Sequence, residues 1–276
     1  MLNGLGRLWR IAATGFCFVV FGFLGLLVLC VFFPICSLFY RDTRKKQSVI
    51  RSIMHYSMAG FSRLMVLCGC FSLEVRNREK LNRNGLLIVA NHPSLIDVVL
   101  LIGLVRRMNC VVKASLKTNL FTRGPVKAGG FIVNSDGPGL INDGIASVRA
   151  GDHLIIFPEG TRSLRHDGEL STMKRGAANI ALRGGIDLTP VLITTTESML
   201  GKGQSWYQVP RRRPHFVLTV MDDIPVSRYL GDAFSEREGD GASGTAGFFN
   251  LKARALTQDL GTFFVDGIRC AQASKI

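Results

Sequence analysis

The stretch GLLIVANHPSLID, residues 85–97, passes from an apolar run into a polar loop and then toward a second apolar stretch. Its first six residues carry no charge and lead into Asn-His-Pro, a pattern typical of a buried strand that ends in a loop. Another run, HLIIF at residues 153–157, leads in the same way into the loop PEGTRS. Such runs alternate with helical patterns over residues 85–221, and this alternation predicts an α/β layer architecture.

The first polar loop carries a histidine and an acid, His92 and Asp97. Five residues correspond to about 140° around an ideal helix, so these side chains meet only if His92 precedes the helix and Asp97 lies in its first turn. Pro93 disfavours helix at His92, and Ser94 is a good N-cap with Asp97 at position N3. The carboxylate then accepts from one imidazole nitrogen and leaves the other as a base. The alternative is a capping box beside an ordinary loop histidine.

The second polar loop, residues 158–163, has the composition of an anion-binding site. Arg162 offers a planar, two-pronged donor for a phosphate, and Gly160 lets the backbone approach an anion closely. Lys174 and Arg175 follow at the start of the next helical pattern and add positive charge. The alternatives are an ordinary Pro-Glu-Gly turn and two solvated cations.

Motifs for other chemistries do not occur in the sequence. It contains no G-x-x-x-x-G-K-[ST], no G-x-S-x-G and no H-E-x-x-H. The 7 cysteines include no C-x-x-C pair, which predicts reduced thiols and no structural metal site.

A long apolar run near the N-terminus predicts a membrane anchor. Residues 11–40 contain no charged side chain, and a helix crosses a bilayer with about 20 residues. We expect a tilted helix, or a hairpin bent near Gly22, Gly25 or Pro34. Basic residues directly after the run, Arg41 to Lys46, place the rest of the chain in the cytoplasm. The net charge of +14 then fits an anionic membrane surface, and we expect no nucleic-acid partner.

The pattern divides the chain into five segments. Residues 1–45 form the anchor, and residues 46–80 form an amphipathic helix at the membrane interface or, alternatively, a helix packed on the globular domain. Residues 81–230 form the globular α/β domain that carries both polar loops. Residues 231–247, rich in Gly, Ser and acidic residues, predict a flexible linker, and residues 248–276 predict a closing amphipathic helix.

Together these features resemble the glycerolipid acyltransferase family, whose best-known member acylates 1-acyl-glycerol 3-phosphate. NHPSLID at residues 91–97 matches the family block N-H-x-x-x-x-D, and FPEGTRS at residues 157–163 matches a second block letter for letter. VVKASL, with Lys113, and LTPVLI, with Pro190, resemble two further blocks in the family's order. The resemblance covers residues 85–193.

The resemblance implies a mixed sheet flanked by helices and the transfer of a fatty acyl group from a thioester, on CoA or acyl carrier protein, to the hydroxyl of a lysolipid. It makes His92 the general base and Asp97 the residue that orients it, without an acyl-enzyme, a metal or a cofactor. The positions that it assigns to substrate binding are Asn91, Lys113, Glu159, Gly160, Thr161, Arg162, Lys174 and Pro190. The default product is phosphatidate, formed at the cell inner membrane or another cytoplasm-facing membrane.

One departure from the family pattern bears on the acceptor. Phosphate-using members carry an arginine where this chain has Ser135, the last residue of GGFIVNS at residues 129–135. A lost charged contact to phosphate weakens binding by about 1.5–3 kcal/mol, unless Lys117, Arg123 or Lys127 compensates. Otherwise the acceptor is an aminoacyl lipid, a glycolipid or a specialised lipid. A non-catalytic membrane protein that binds lipid is the remaining alternative.

Overall fold

A seven-stranded sheet forms the centre of the computed structural model, which describes residues 2–118, 122–134, 138–163, 172–231 and 242–273. Its strands are β1 (Ser72–Arg76), β2 (Leu87–Ala90), β3 (Met108–Lys113), β4 (Ile132–Asn134), β5 (His153–Ile156), β6 (Leu188–Thr195) and β7 (His215–Val220). Their order across the sheet is β1-β7-β6-β2-β5-β3-β4. Strands β6 and β7 are antiparallel, and the five other neighbouring pairs are parallel. The predicted α/β fold with a mixed sheet is therefore confirmed.

Helices cover both faces of this sheet. In chain order they are α1 (Leu2–Leu27), α2 (Phe33–Phe39), α3 (Thr43–Leu67), α4 (Asp97–Leu104), α5 (Arg123–Gly129), α6 (Pro138–Arg149), α7 (Gly176–Gly184), α8 (Ser227–Leu230) and α9 (Ala242–Ala273). Alternate residues of β2 contribute to two separate apolar cores, Ile88 and Ala90 to the core shared with α3 and α4, and Leu87 and Val89 to the core shared with α7 and α9. A strand buried on both faces has to be apolar throughout, which explains the uncharged run in the sequence.

The apolar N-terminal run is helical without an interrupting turn. Helix α1 passes into α2 through a π-helical turn at Val28–Phe32. Pro34 follows this turn, and its ring lacks an N–H and crowds the carbonyl four residues earlier, so the wider π turn relieves the clash. The chain leaves the helix only at Tyr40, so the alternative of a hairpin inside the run is wrong.

One side of this N-terminal helix packs against the globular part, and the other side is exposed. Ala13, Cys17, Val28 and Cys36 are buried in the core shared with α3. Large apolar side chains cover the opposite side, among them Leu8, Trp9, Phe16, Val19, Phe23, Leu38 and Phe39. Gly4–Phe39 is the one helix within the described ranges that is long and apolar enough to cross a membrane.

Helix α3 packs on the globular domain, which was the alternative for residues 46–80. Ile50, Met54 and Met65 are buried on one of its faces. The crossing with α4 is close, because a Cβ on Gly103 would lie 3.0 Å from the backbone nitrogen of Ala59. Helix α3 is therefore an integral part of the globular fold.

Two of the segment boundaries predicted from the sequence differ from those in the structure. Strand β1 pairs with β7 along its whole length, so the sheet begins at Ser72 and not after residue 81. Helix α9 begins at Ala242, so the last six residues of the predicted linker are helical. Residues 232–241, the main part of that linker, lie outside the described residues.

Candidate active site

A large cavity of about 1100 Å³ lies at the carboxyl ends of neighbouring strands. The loops that follow β2 and β5 and the last residues of β3 and β4 contribute to its wall, and these four strands are adjacent in the sheet. This edge is where open α/β sheets place their ligands, because parallel strands all end there. The two polar loops singled out from the sequence therefore converge on one cavity.

His92 and Asp97 lie in direct contact at this cavity. His92 Nδ1 is 2.9 Å from Asp97 Oδ2, and the same oxygen accepts from the backbone N–H of Ser94 at 2.7 Å. Asp97 is the first residue of α4, while His92 lies in the preceding loop, so the expected geometry is present. Ser94 is not the N-cap, since Ile96 occupies that position and the Ser94 hydroxyl donates to Met199 O.

The contact fixes which imidazole nitrogen carries the proton. A carboxylate oxygen only accepts, so the proton lies on Nδ1 and the lone pair lies on Nε2. The side chain of Asp97 has no exposed surface, and burial raises the pKa of this carboxyl, while its bonds to His92 and Ser94 act to lower the pKa. Asp97 Oδ1 is buried and has no hydrogen-bond partner within the described residues.

Residues 157–163, at the end of β5, support the loop that carries His92. The ring of Phe157 stacks on the imidazole of His92 at 4.3 Å between centroids. The buried carboxylate of Glu159 accepts from the His92 backbone N–H at 3.1 Å and from the Ser163 hydroxyl at 2.6 Å. The Ser163 N–H donates in turn to His92 O at 2.8 Å. Glu159, predicted to bind substrate, thus supports the backbone of the histidine.

Five cations line the cavity, and no acidic side chain does so within the described residues. They are Lys113, Arg162, Lys174, Arg175 and Arg254. Much of the remaining wall is apolar and includes Leu95, Val98, Leu116, Leu140, Ile141 and Leu251. A cavity that combines an apolar wall with an excess of positive charge suits an amphiphile with an anionic head.

Arg162 has a structural contact in addition to its place in the wall. Its Nη1 donates to Leu200 O at 2.9 Å and to Gly201 O at 2.8 Å, which ties the PEGTRS loop to the segment after β6. Gly160 has a φ of +61°, and a Cβ there would lie 3.0 Å from Lys174 Cε. Glycine at this position therefore lets the Lys174 stem lie across the loop.

Two further predicted residues lie behind the cavity. Both polar atoms of the Asn91 amide bond to the backbone of Ile193 in β6. Nδ2 donates to Ile193 O at 2.8 Å, and Oδ1 accepts from Ile193 N–H at 2.7 Å. Pro190 is buried within β6 opposite Val89 of β2. Asn91 thus holds β6 beside β2, and neither residue is part of the cavity wall. Thr161 and Lys113, by contrast, do line the cavity.

Some lining residues are not in the set assigned from the sequence. One of them is Arg175, and in the sequence only its position next to Lys174 indicated that it lies near the site. Asn250, Leu251 and Arg254 come from α9, far from either motif, and nothing local marks them. Ser135 and the side chain of Lys117 lie outside the described residues.

Comparisons with known proteins agree with this arrangement. Residues 72–194 match the family model described as Acyltransferase. The 1-acyl-sn-glycerol-3-phosphate acyltransferase of Saccharomyces cerevisiae is 28% identical over 148 residues, which are 51% of this chain and 48% of that protein. The lyso-ornithine lipid O-acyltransferase of Pseudomonas aeruginosa is 32% identical over 133 residues, 46% of this chain and 50% of that protein. The chain thus spans about half the length of these curated relatives.

A solved structure shares the fold over nearly the whole chain. The 1-acyl-sn-glycerophosphate acyltransferase PlsC from Thermotoga maritima superimposes with a TM-score of 0.60, covering 94% of this chain and 97% of that one at 21% identity. The segment matched by the family model begins at β1 and ends in β6, so it contains both loops that meet at His92. The resemblance drawn from the two motifs is confirmed, and residues 72–194 form a domain of the acyltransferase family.

Proposed function

We propose that the protein is a membrane-bound O-acyltransferase that moves a fatty acyl group from acyl-CoA or acyl carrier protein to the free hydroxyl of a lysolipid. The default acceptor is 1-acyl-glycerol 3-phosphate, and the product is phosphatidate. The observation that carries the proposal is the His92–Asp97 pair in the wall of an apolar cavity that five cations line.

The geometry supports a direct transfer. Nε2 of His92 removes the proton of the acceptor hydroxyl while the hydroxyl oxygen attacks the thioester carbonyl carbon. The carbon–sulfur bond then breaks, and the imidazolium returns its proton to the thiolate, which leaves an ester and a free thiol. Asp97 keeps its hydrogen bond to Nδ1–H throughout and stabilises the imidazolium.

The charges of the cavity favour a phosphate-bearing acceptor. An aminoacyl lipid carries an ammonium group, and the described part of the wall offers no carboxylate to pair with it. A phosphate carries only negative charge and suits the guanidinium of Arg162 and the ammonium of Lys174. The similarity to a lyso-ornithine lipid acyltransferase keeps the aminoacyl lipid as the second candidate acceptor.

A non-catalytic lipid-binding protein is the weaker candidate. Burial of the Asp97 carboxyl costs stability, and its pKa is raised for that reason. A binding protein gains nothing from this cost, whereas a general base needs the carboxylate to fix its tautomer.

The attachment to the membrane is part of the proposal. Gly4–Phe39 is about 54 Å long at 1.5 Å per residue, and it contacts the globular part near both ends. Trp9 Nε1 donates to Cys68 O at 2.9 Å, and the ammonium of Lys46 lies 5.5 Å from the ring centroid of Phe33. We infer that the helix does not cross the bilayer as the tilted span expected from the sequence, because both of its ends contact the globular part. It lies along the lipid surface with its exposed apolar side immersed, and the catalytic domain is on the cytoplasmic side.

The decisive experiment is an acyl-transfer assay on the purified full-length chain. Lysophosphatidate, a lyso-aminoacyl lipid and an uncharged lysolipid are each offered with acyl-CoA and with acyl carrier protein. We expect phosphatidate as the main product, and a loss of rate on the order of 10²–10⁴ in His92→Ala. The matched control is His215→Asn, since His215 bonds Ser72 and Glu74 on strand β1, away from the cavity.

The outcomes separate the candidates. His92-dependent acylation of the lyso-aminoacyl lipid alone would keep the chemistry and change the acceptor. Equal rates for His92→Ala and the unsubstituted protein would rule out the general-base role. Binding of lysolipid without transfer from either donor would favour the lipid-binding protein.

A further inference from the structure

The loop between β6 and β7, residues 196–214, contacts the N-terminal helix. The ring of Trp206 covers Gly15, where a Cβ would lie 3.0 Å from Trp206 Cζ3. The ring centroids of Trp206 and Phe18 are 6.4 Å apart. Further along the loop, Arg10 Nη2 donates to Pro210 O at 3.0 Å. The loop is therefore fastened to the anchor at two points.

The same loop contacts both catalytic motifs at its other end. The Ser94 hydroxyl donates to Met199 O at 2.7 Å, and the Leu95 N–H donates to Leu200 O at 3.0 Å. Arg162 Nη1 donates to Leu200 O and Gly201 O. Leu200 has a φ of +54°, an unusual conformation for leucine that points its carbonyl to both motifs. One continuous segment thus joins the anchor to the rim of the cavity.

Where the loop meets the N-terminal helix, it also exposes an aromatic pair, Trp206 and Tyr207, to solvent. Trp206 is 45% exposed and Tyr207 is 52% exposed, and the two rings meet edge to face at 5.7 Å. Phe18 and Val19, at i+3 and i+4 from Gly15, extend the same apolar face along the helix. Tryptophan and tyrosine have apolar rings with one polar atom, which suits the boundary between lipid chains and headgroups.

Basic residues flank the aromatic pair in the sequence of the loop. Lys202, Arg211 and Arg212 are exposed on the same loop, and no acidic residue occurs between residues 198 and 221 of the sequence. Each basic residue near an anionic bilayer adds to the electrostatic attraction between the protein and the surface. Positive charge beside exposed aromatic rings, continuous with an apolar helix face, matches an anionic lipid surface.

We propose that Trp206 and Tyr207 form a second membrane contact, in which the rings enter the headgroup layer of the anionic surface that holds the N-terminal helix. The contact fixes the depth of the loop, and through Met199, Leu200 and Gly201 it fixes the mouth of the cavity at the lipid surface. This inference rests on the proposed membrane attachment and extends it to the active site.

The two tryptophans of the chain, Trp9 and Trp206, provide a direct test. In Trp9→Phe the fluorescence reports on Trp206 alone. We expect its emission to shift to shorter wavelength when phosphatidylglycerol-containing vesicles are added, and lipids brominated on the acyl chain to quench it. The shift is smaller with vesicles of phosphatidylcholine alone, because the basic residues lose their partner.

Each result of this titration has a defined meaning, provided that vesicle flotation is measured on the same samples. Flotation of the protein without a change at Trp206 would overturn the second contact and leave the anchor. Absence of flotation would overturn both. A shift that appears without vesicles and grows with protein concentration would assign the surface to a second copy of the chain and overturn the lipid contact.

Activity distinguishes this inference from the proposed function. In the double variant Trp206→Ala, Tyr207→Ala, we expect transfer to a long-chain lysolipid in vesicles to fall about tenfold, equivalent to about 1.4 kcal/mol. Transfer to a short-chain, water-soluble lysophosphatidate should stay unchanged. Tyr56→Ala is the matched control, because Tyr56 is 57% exposed and lies outside the loop, under the guanidinium of Arg106.

Equal losses on both acceptors would overturn the membrane role of the pair and make the loop a structural support of the site. Full activity of the double variant in vesicles would overturn it as well. Absence of transfer by the unsubstituted chain on either acceptor would instead count against the proposed function.

Discussion

The tautomer and the orientation of the His92 ring are set by the residues around it. Asp97 sets its tautomer, Phe157 sets the plane of the ring, and Glu159 with Ser163 fixes its backbone. Such support from a second layer of residues is what holds a catalytic group within reach of its substrate.

Asp97→Asn tests this arrangement separately from the base itself. Because Oδ2 accepts from both Ser94 N–H and His92 Nδ1–H, an amide oxygen in its place can keep both hydrogen bonds, but the neutral amide no longer stabilises the imidazolium. We expect kcat to fall by about 10²–10⁴. Burial raises the Asp97 pKa, so the charged carboxyl destabilises the fold above that pKa, and the neutral amide should keep or increase the unfolding free energy near pH 7.

Thermal unfolding and single-turnover rates of the same preparation check both parts of this expectation. Asp222→Asn serves as the control, since the Asp222 side chain is exposed on the surface beside Lys80. A variant that lost stability together with activity would show that Asp97 acts mainly as a structural residue.

The sequence predicted which loops meet, but not which way each side chain turns. The spacing of His92 and Asp97 let the two side chains meet in only one way, with His92 before the helix and Asp97 in its first turn, and they meet in that way. Asn91 and Glu159 stand in the same motifs, yet they bond to the backbone of β6 and of the His92 loop. A motif names positions in a loop, whereas the direction of a side chain depends on strands that are distant in sequence.

Among the elements, the strands buried on both faces were predictable, and the edge strand β1 was not. LIVA in β2 is an uninterrupted apolar run, and HLII in β5 is apolar after His153. SLEVR in β1 has three polar residues, because one side of this strand lies at the edge of the sheet. Helix α5, RGPVKAG, contains two glycines and a proline and has little intrinsic helix propensity. The carbonyls of Gly129, its last residue, and of Gly130, the next residue, accept from Arg51 of α3, a contact that no local pattern reveals.

Arg51 is the residue that joins α3 to this side of the sheet. It is buried, and its Nη1 lies 2.6 Å from Asp152 Oδ2 at the start of β5, while burial lowers the pKa of the guanidinium. Without Arg51, the carbonyls of Gly129 and Gly130 lose their donor, while Asp152 keeps its ion pair with Arg107, so Arg51→Ala should lower the unfolding free energy by about 1–3 kcal/mol. Chemical denaturation in detergent measures this loss.

Lys80→Ala provides the comparison, because its partner Asp222 is exposed and such surface pairs contribute about 0–1 kcal/mol. Equal losses for Arg51→Ala and Lys80→Ala would mean that water reaches the Arg51 pair and that α3 is held by its apolar face alone.

Considered as a whole, the molecule should lose stability in mild acid because of His153. This residue is buried at the start of β5, and its Nδ1 accepts from the Leu86 N–H at 3.3 Å, which requires the neutral ring. Burial lowers its pKa from 6.5 to about 4. The unfolded chain therefore takes up a proton below pH 6.5 while the folded chain does not, so stability falls from pH 6.5 down to about 4.

The expected loss over this range is roughly 3 kcal/mol, and His153→Gln should remove most of it. Unfolding curves between pH 7 and pH 4 give the slope for each variant. His215→Gln is the control on a more exposed histidine, and an unchanged slope in His153→Gln would assign the acid sensitivity to other groups.

The proposed placement of the whole chain against a lipid surface can be tested with its own cysteines. Within the described residues two of them are exposed, Cys30 on the apolar N-terminal helix and Cys270 on α9. If the exposed side of that helix lies in lipid, a charged water-soluble maleimide should label Cys270 and not Cys30 in vesicle-bound protein. Cys270→Ala should then remove the fast-reacting site, and Cys30→Ala should leave it unchanged. Rapid labelling of Cys30 on vesicles would place the helix in water and leave its apolar side chains to be covered by something other than lipid.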